Sequence, residues 1–244
     1  TGMATDKSDI DIGIYYDKGQ VDFKALNEIA SRLDDMHRDN LICEEGGWGK
    51  WVNCGGWLTI GGFQVDLILR DINRVADCIR QTDEGNISAH YQTGHPHAFL
   101  NVMYRGELAS CQMLYAKDAR FLELKAQAET YPDRLAEALV SFFLFEANFS
   151  CMLAQQYGTG MDVYYKAGHL FRSVSALNQV LFALNRTYCL NEKKATLRIN
   201  QLRIAPKCYH ERVNKIFSLC GEDTSGAVEI LRQLIDEVET EIHK

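Results

Sequence analysis

The stretch that decides the fold is Ser8-Asp9-Ile10-Asp11-Ile12-Gly13-Ile14-Tyr15-Tyr16. Ile10, Ile12 and Ile14 alternate with Asp9, Asp11 and Gly13, the period-two pattern of a strand with one apolar face and one face bearing carboxylates. Asp22 then stands as an N-cap before a segment in which Phe23, Leu26, Ile29, Ala30, Leu33 and Met36 recur at helical spacing. Gly46, Gly47 and Gly49 break the chain. Beyond them, residues 57–60 and 63–70 flank Gly61-Gly62, which predicts a hairpin. In its second strand Phe63, Val65, Leu67 and Leu69 share one face, leaving Gln64, Asp66, Ile68 and Arg70 on the other.

From Asp71 onward the texture changes to long helical periods with few breakers, over residues 73–80, 109–114, 121–129, 132–156, 163–187, 192–204, 208–217 and 225–243. Residues 92–99 form the one conspicuous irregular stretch between them. The fold class expected is therefore α+β: a small mixed β-sheet domain over residues 1–105, followed by a C-terminal helical bundle over residues 106–244.

Composition narrows the function. The chain has 244 residues, of which 46% are hydrophobic and 24% charged, with only 3 prolines. That is globular composition with little to interrupt long helices. Lys+Arg 26 against Asp+Glu 33 gives a net charge of -7 with no basic run, so duplex nucleic acid is not an expected partner. The longest apolar runs, such as residues 138–145, stop well short of the roughly 20 residues that span a membrane, so no membrane partner is expected. The 8 cysteines show no C-x-x-C pair, which argues against zinc ribbons and suits a reducing cytoplasm. Residue 1 is Thr, so the chain is expected to begin inside a longer gene product or to have lost its natural start.

Asp9, Asp11 and Asp66 carry the sharpest chemistry. Side chains at i and i+2 of a strand share a face and lie roughly 6–7 Å apart, so Asp9 and Asp11 can converge on divalent cations. Asp66 stands inside the apolar sequence VDLIL, where an acid is costly unless paired or metal-bound. Three carboxylates suit Mg²⁺, which prefers oxygen ligands and is shared with substrate phosphates, better than zinc. Two such ions can clamp the attacking and leaving oxygens of a phosphoryl transfer. Glu146, alone in the apolar run FFLFEANF, is a candidate general base, as is Asp66. Arg172 lies on a polar stripe of the 163–187 segment with Tyr165, His169 and Gln179, where it could meet a phosphate, and Lys193 has a similar claim. Trp48, Trp51 and Trp57 could stack a base or sugar ring, although packing of the hairpin is the safer reading. His95 and His97 form an H-x-H in the irregular loop, with loop ordering the preferred role.

Ser8-Asp9-Ile10-Asp11-Ile12-Gly13, a helix, and a hairpin whose last strand carries Val65-Asp66-Leu67 together resemble the DNA-polymerase-β-type nucleotidyltransferase superfamily. Within it the similarity is to the bacterial branch that includes the aminoglycoside and lincosamide nucleotidyltransferases. GGWGKWVNCGGWLTIGGFQVDLILRD (46–71) and GHPHAF (94–99) also resemble nucleotidyltransferase-domain proteins. The resemblance covers about residues 1–105 well and the rest loosely. It implies an enzyme with Mg²⁺ and an NTP donor, usually ATP. Asp9, Asp11 and Asp66 would be the metal carboxylates, and a glutamate of the helical domain, matched by Glu146, the base. Ser8, Arg172 and Lys193 are the expected nucleotide-binding residues. The family's first strand and triphosphate-holding Gly-Ser turn precede the first Asp, and Thr1-Gly2 does not match them, so they are expected upstream of Thr1. The expected reaction moves AMP onto a hydroxyl of a small acceptor such as an antibiotic. A protein hydroxyl, as in antitoxin-type AMPylating members, and an inactive nucleotide-binding scaffold are the alternatives.

Overall fold

A computed structural model of the chain describes residues 8–117, 119–156 and 162–243. Thr1-Gly2 and the expected upstream turn lie outside the described residues. Two compact units are formed, one from Thr1–Arg80 with Ala89–Glu129, the other from Gln81–Ser88 with Thr130–Lys244.

The first unit is built on a mixed three-stranded sheet. Strands β1 (Ile10–Tyr16), β2 (Cys54–Ile60) and β3 (Phe63–Asp71) take the order β1-β3-β2, with β1 parallel and β2 antiparallel to the central β3. Helix α1 (Phe23–Leu33) connects β1 to the hairpin, and Asp22 caps it, its side chain accepting from the Ala25 amide at 3.0 Å. Alternation sorts the sheet as expected. Tyr16, Cys54, Leu58, Val65 and Leu69 turn to one side and pack as a core with Ala30 of α1 and Ile42. The hairpin turns at Gly61 (φ +59) and Gly62 (φ +83), backbone that glycine adopts without strain. Asp35 holds it, accepting from both glycine amides at 2.8 Å.

Asp34, fully buried at the end of α1, is a second tie that sequence reading did not single out. Its carboxylate accepts from the Thr59 amide (2.9 Å) and from Nε and Nη2 of Arg38 (2.9 and 2.6 Å), joining α1 to β2. The Arg38 guanidinium, followed by the Thr59 amide, holds this carboxyl well below the ordinary carboxylate range.

After β3 come α2 (Ile72–Asp83), a two-stranded pairing of β4 (Ala89–His90) with β5 (Phe99–Leu100), and helices α3 (Asn101–Ser110) and α4 (Ala119–Glu129). Two expectations change here. The helix expected at 109–114 ends at Ser110, because Cys111 turns extended (ψ 146), and α3 instead occupies 101–110. The domain boundary expected after residue 105 falls inside α3, whose Arg105, 1% exposed, donates to the Ile79 and Gln127 carbonyls of the first unit.

The second unit is helical: α5 (Asp133–Gln156), α6 (Val163–Leu184), α7 (Ala195–Ile199), α8 (Tyr209–Leu219) and α9 (Thr224–Ile242). The helix expected at 192–204 is thus reduced to α7. Helix α6 is central, with the expected apolar stripe Leu170, Val174, Leu177 and Leu181 buried, and α5 and α9 pack on it. Buried polar groups find partners: Ser173 Oγ donates to the Ala147 carbonyl, and Tyr209 Oη to Asn178 Oδ1, at 2.7 and 2.8 Å. By length and composition α5 alone among the described helices could cross a membrane, a property it shares with core helices of globular proteins. Its inward face, including Leu139, Phe143 and Ala147, is buried. All eight cysteines are free thiols.

Leu69→Ala, at a fully buried position of β3, is expected to destabilise the chain by about 2–5 kcal/mol in urea unfolding. Asp34→Asn is expected to lower the urea midpoint most at neutral pH. Its carboxyl is depressed in the fold, so the stability it contributes is present above the unfolded value of 3.8 and is lost as pH falls below it. The wild-type and variant midpoints should therefore converge under acid.

Candidate functional site

The sheet face away from the α1 core is laid out in rows by strand register. Asp11 of β1 pairs with Asp66 of β3, and Asp66 with Trp57 of β2, so these three side chains stand in one row on one face. Asp9, two residues before Asp11, belongs to the same face by the period of the strand. The next row along is Gly13, Ile68 and Gly55, and beyond it Tyr15 stands beside Arg70.

The two ends of this face differ in environment. Arg70, 4% exposed, makes a bidentate pair with Glu107 of α3 (2.9 and 2.6 Å) and lies 5.2 Å from the Tyr104 ring centroid. Phe121 of α4 packs edge-on against Tyr15 at 5.1 Å. Helices α3 and α4 therefore cover the Tyr15–Arg70 end, while Asp9, Asp11 and Trp57 at the other end are exposed. Burial pushes the Asp66 carboxyl up from its ordinary value, the charges of Asp11 and Asp9 push it further, and the Trp57 indole N–H draws it back.

The loop before β2 places two tryptophans differently. Trp48 stacks on Trp57 with ring centroids 4.7 Å apart and 26° between planes. This requires Gly55, since a Cβ there would stand 2.4 Å from the Trp48 ring and 2.0 Å from the Leu67 carbonyl. Gln92 clamps the loop, donating to the Trp48 carbonyl (2.6 Å) and accepting from the Trp51 amide (3.1 Å). Asn53, at φ +74, donates to Tyr16 Oη and the Leu69 carbonyl. Trp51 is packed among His90, Phe99 and Tyr104. His95, in the same region, meets Phe99 edge-on at 5.1 Å. Gln92 and Glu107 support this face, yet neither was singled out from sequence, because nothing local marks a long-range clamp.

The remaining expected residues lie elsewhere. Ser8 is half-buried immediately before Asp9. Glu146 of α5 and Arg172 of α6 are in the second unit, where they form an ion pair with each other. Beside them His169 packs edge-on against Tyr165 at 4.4 Å, and burial, then the charge of Arg172, lowers its pKa. Lys193 is exposed ahead of α7, its amide donating to Asn191 Oδ1 at 2.9 Å. An open cleft on the α1 side of the sheet, lined by residues including Phe23, Asn27, Ile42 and Cys43, shares no residue with the carboxylate face.

Among the described residues no group of three or more His, Cys, Asp or Glu side chains is placed so that it could hold a metal ion. The donor set nonetheless fits a hard divalent cation. Asp11 and Asp66 are oxygen donors on adjacent strands about 4.8 Å apart, and their mutual repulsion is what a cation would relieve. No protein-family model matches the sequence, and no curated protein matches it.

Because the Asp66 carboxyl is raised in the fold, the folded chain keeps its proton to higher pH than the unfolded chain, whose value is 3.8. Stability is therefore lost as pH rises through that window. In metal-free buffer Asp66→Asn is expected to raise the melting temperature at pH 7 and to leave it unchanged below about pH 4.

Proposed function

We propose that the chain is a Mg²⁺-dependent nucleotidyltransferase of the DNA-polymerase-β type, moving a nucleoside monophosphate, AMP from ATP, onto a hydroxyl of a small acceptor. The observation that carries this reading is the register pair of Asp11 with Asp66, with Asp9 on the same open face. Like carboxylates side by side cost stability, and a cation-and-phosphate site is the chemistry that offsets such a cost. Asp9, Asp11 and Asp66 are the residues that would hold Mg²⁺. When bound, the metal supplies charge neutralisation at the attacking and leaving oxygens.

The acceptor oxygen attacks the α-phosphorus in line, the bond to the β-phosphate oxygen breaks, and pyrophosphate leaves. The hydroxyl proton passes to a carboxylate base. Asp66 is favoured for that part because it stands on the carboxylate face, whereas Glu146 is tied to Arg172. Arg172 and Lys193 stay proposals as nucleotide-binding residues. Eight free thiols suit a reducing, cytoplasmic setting.

Calorimetric titration with a non-hydrolysable ATP analogue and Mg²⁺ tests the reading. Wild-type chain is expected to bind only with the metal present, and Asp9→Ala/Asp11→Ala to lose binding by about a hundredfold or more while keeping its circular dichroism. Binding that ignores both the metal and the two aspartates would overturn the proposal.

A further inference from the structure

Trp57 of β2 is 59% exposed, on the sheet face that carries Asp11 and Asp66. Strand alternation sets this side, since Cys54 and Leu58 of the same strand take the core side. Trp57 stands outward with Trp48 stacked behind it, and Trp48 is fixed by Gly55 beneath it and by Gln92 at its carbonyl. The pair is therefore a rigid aromatic surface, ordered before any ligand arrives.

Its place in the row decides what it faces. Trp57 flanks Asp66 on the side away from Asp11, two strand spacings, about 10 Å, from β1. A triphosphate held over Asp9, Asp11 and Asp66 carries its ribose and base away from the α-phosphorus over a comparable span. On the opposite strand of the row no ring stands, and at the far end of the face Tyr15 and Arg70 are covered by α3 and α4. Among the described residues of these rows, Trp57 is the exposed ring beside Asp66.

We propose that the Trp48–Trp57 pair is the base-stacking platform of the nucleotide site, with Trp57 the contact residue and Trp48 the positioning residue behind it. This rests on the nucleotidyltransferase reading. Every base has a π face, so a platform of this kind binds the ring with little choice among bases, and donor selectivity should be weak.

The test compares the full chain with Trp57→Phe and Trp57→Leu, titrated by calorimetry with Mg²⁺ plus the α,β-methylene analogue of ATP, and separately with Mg²⁺ plus tripolyphosphate. Both variants lose the indole N–H that meets Asp66, so the ring is read from their difference: Trp57→Leu is expected to bind the nucleotide about tenfold or more weakly than Trp57→Phe, with the two binding tripolyphosphate equally. Tryptophan emission of the wild-type chain should be quenched by the nucleotide and not by tripolyphosphate, a readout that needs no variant to fold. Nucleotide binding unaffected in Trp57→Leu and without quenching overturns the platform alone. An equal loss for both ligands also overturns it, because Trp57 would then act through Asp66 and not on the base. If wild-type chain binds neither ligand, the transferase reading falls with it.

Discussion

The parallel pairing of β1 with β3 is the constraint on which the rest of the molecule depends. Side chains alternate across a strand with a period of two, so a slip of one residue would exchange every inward and outward group. In the register observed, Ile12 pairs with Leu67 and Ile14 with Leu69, which places four apolar groups toward α1. The same register puts Asp11 beside Asp66. The core cannot be built without bringing the two carboxylates together, and their repulsion is offset by burying the other face. A parallel pair also lacks a hairpin to align it, so the alignment comes from the connecting helix and its ties.

Those ties are polar and mostly buried. Asp34 fixes the end of α1 to β2 through the Thr59 amide, and Asp35 fixes the hairpin turn through Gly61 and Gly62. At the other end of β2 Asn53 reaches Tyr16 and the Leu69 carbonyl, connecting the loop before β2 to both other strands. Each carboxylate or amide here accepts or donates to several groups at once, so none is left with an unmet buried charge.

Local pattern made the strands, the α1 cap and the long helices legible, and it failed where tertiary context decides. Alternation over residues 9–16 and 63–70 announced two faced strands, and Asp22 announced the start of α1. Helix α3 gave no such sign: Val102, Met103, Tyr104 and Leu108 are buried along with Asn101 and Arg105, so no polar stripe marks its period, and Leu100 offers no side-chain cap. Asp9, Asp11 and Asp66 were legible because an acid in a strand of isoleucines is locally anomalous. Their adjacency was not, because strand order and register are set by residues far apart. Glu146 and Arg172 were each conspicuous as polar groups in apolar helices, but which helix faces meet cannot be read from one helix, and the two turned out to be partners.

The contrast between the two ends of the carboxylate face follows from how its charges are balanced. At the Tyr15–Arg70 end the buried cation is matched by Glu107 and roofed by aromatic rings, so its charge is not left uncompensated under the helices. At the other end Asp11 and Asp66 stand side by side in register, and the neighbouring charges raise the Asp66 carboxyl. Helices α3 and α4 cover the paired end, and Asp9, Asp11 and Trp57 stay exposed. An open acidic end bordered by a fixed indole pair is what remains, and its openness is a consequence of the same alternation that built the core.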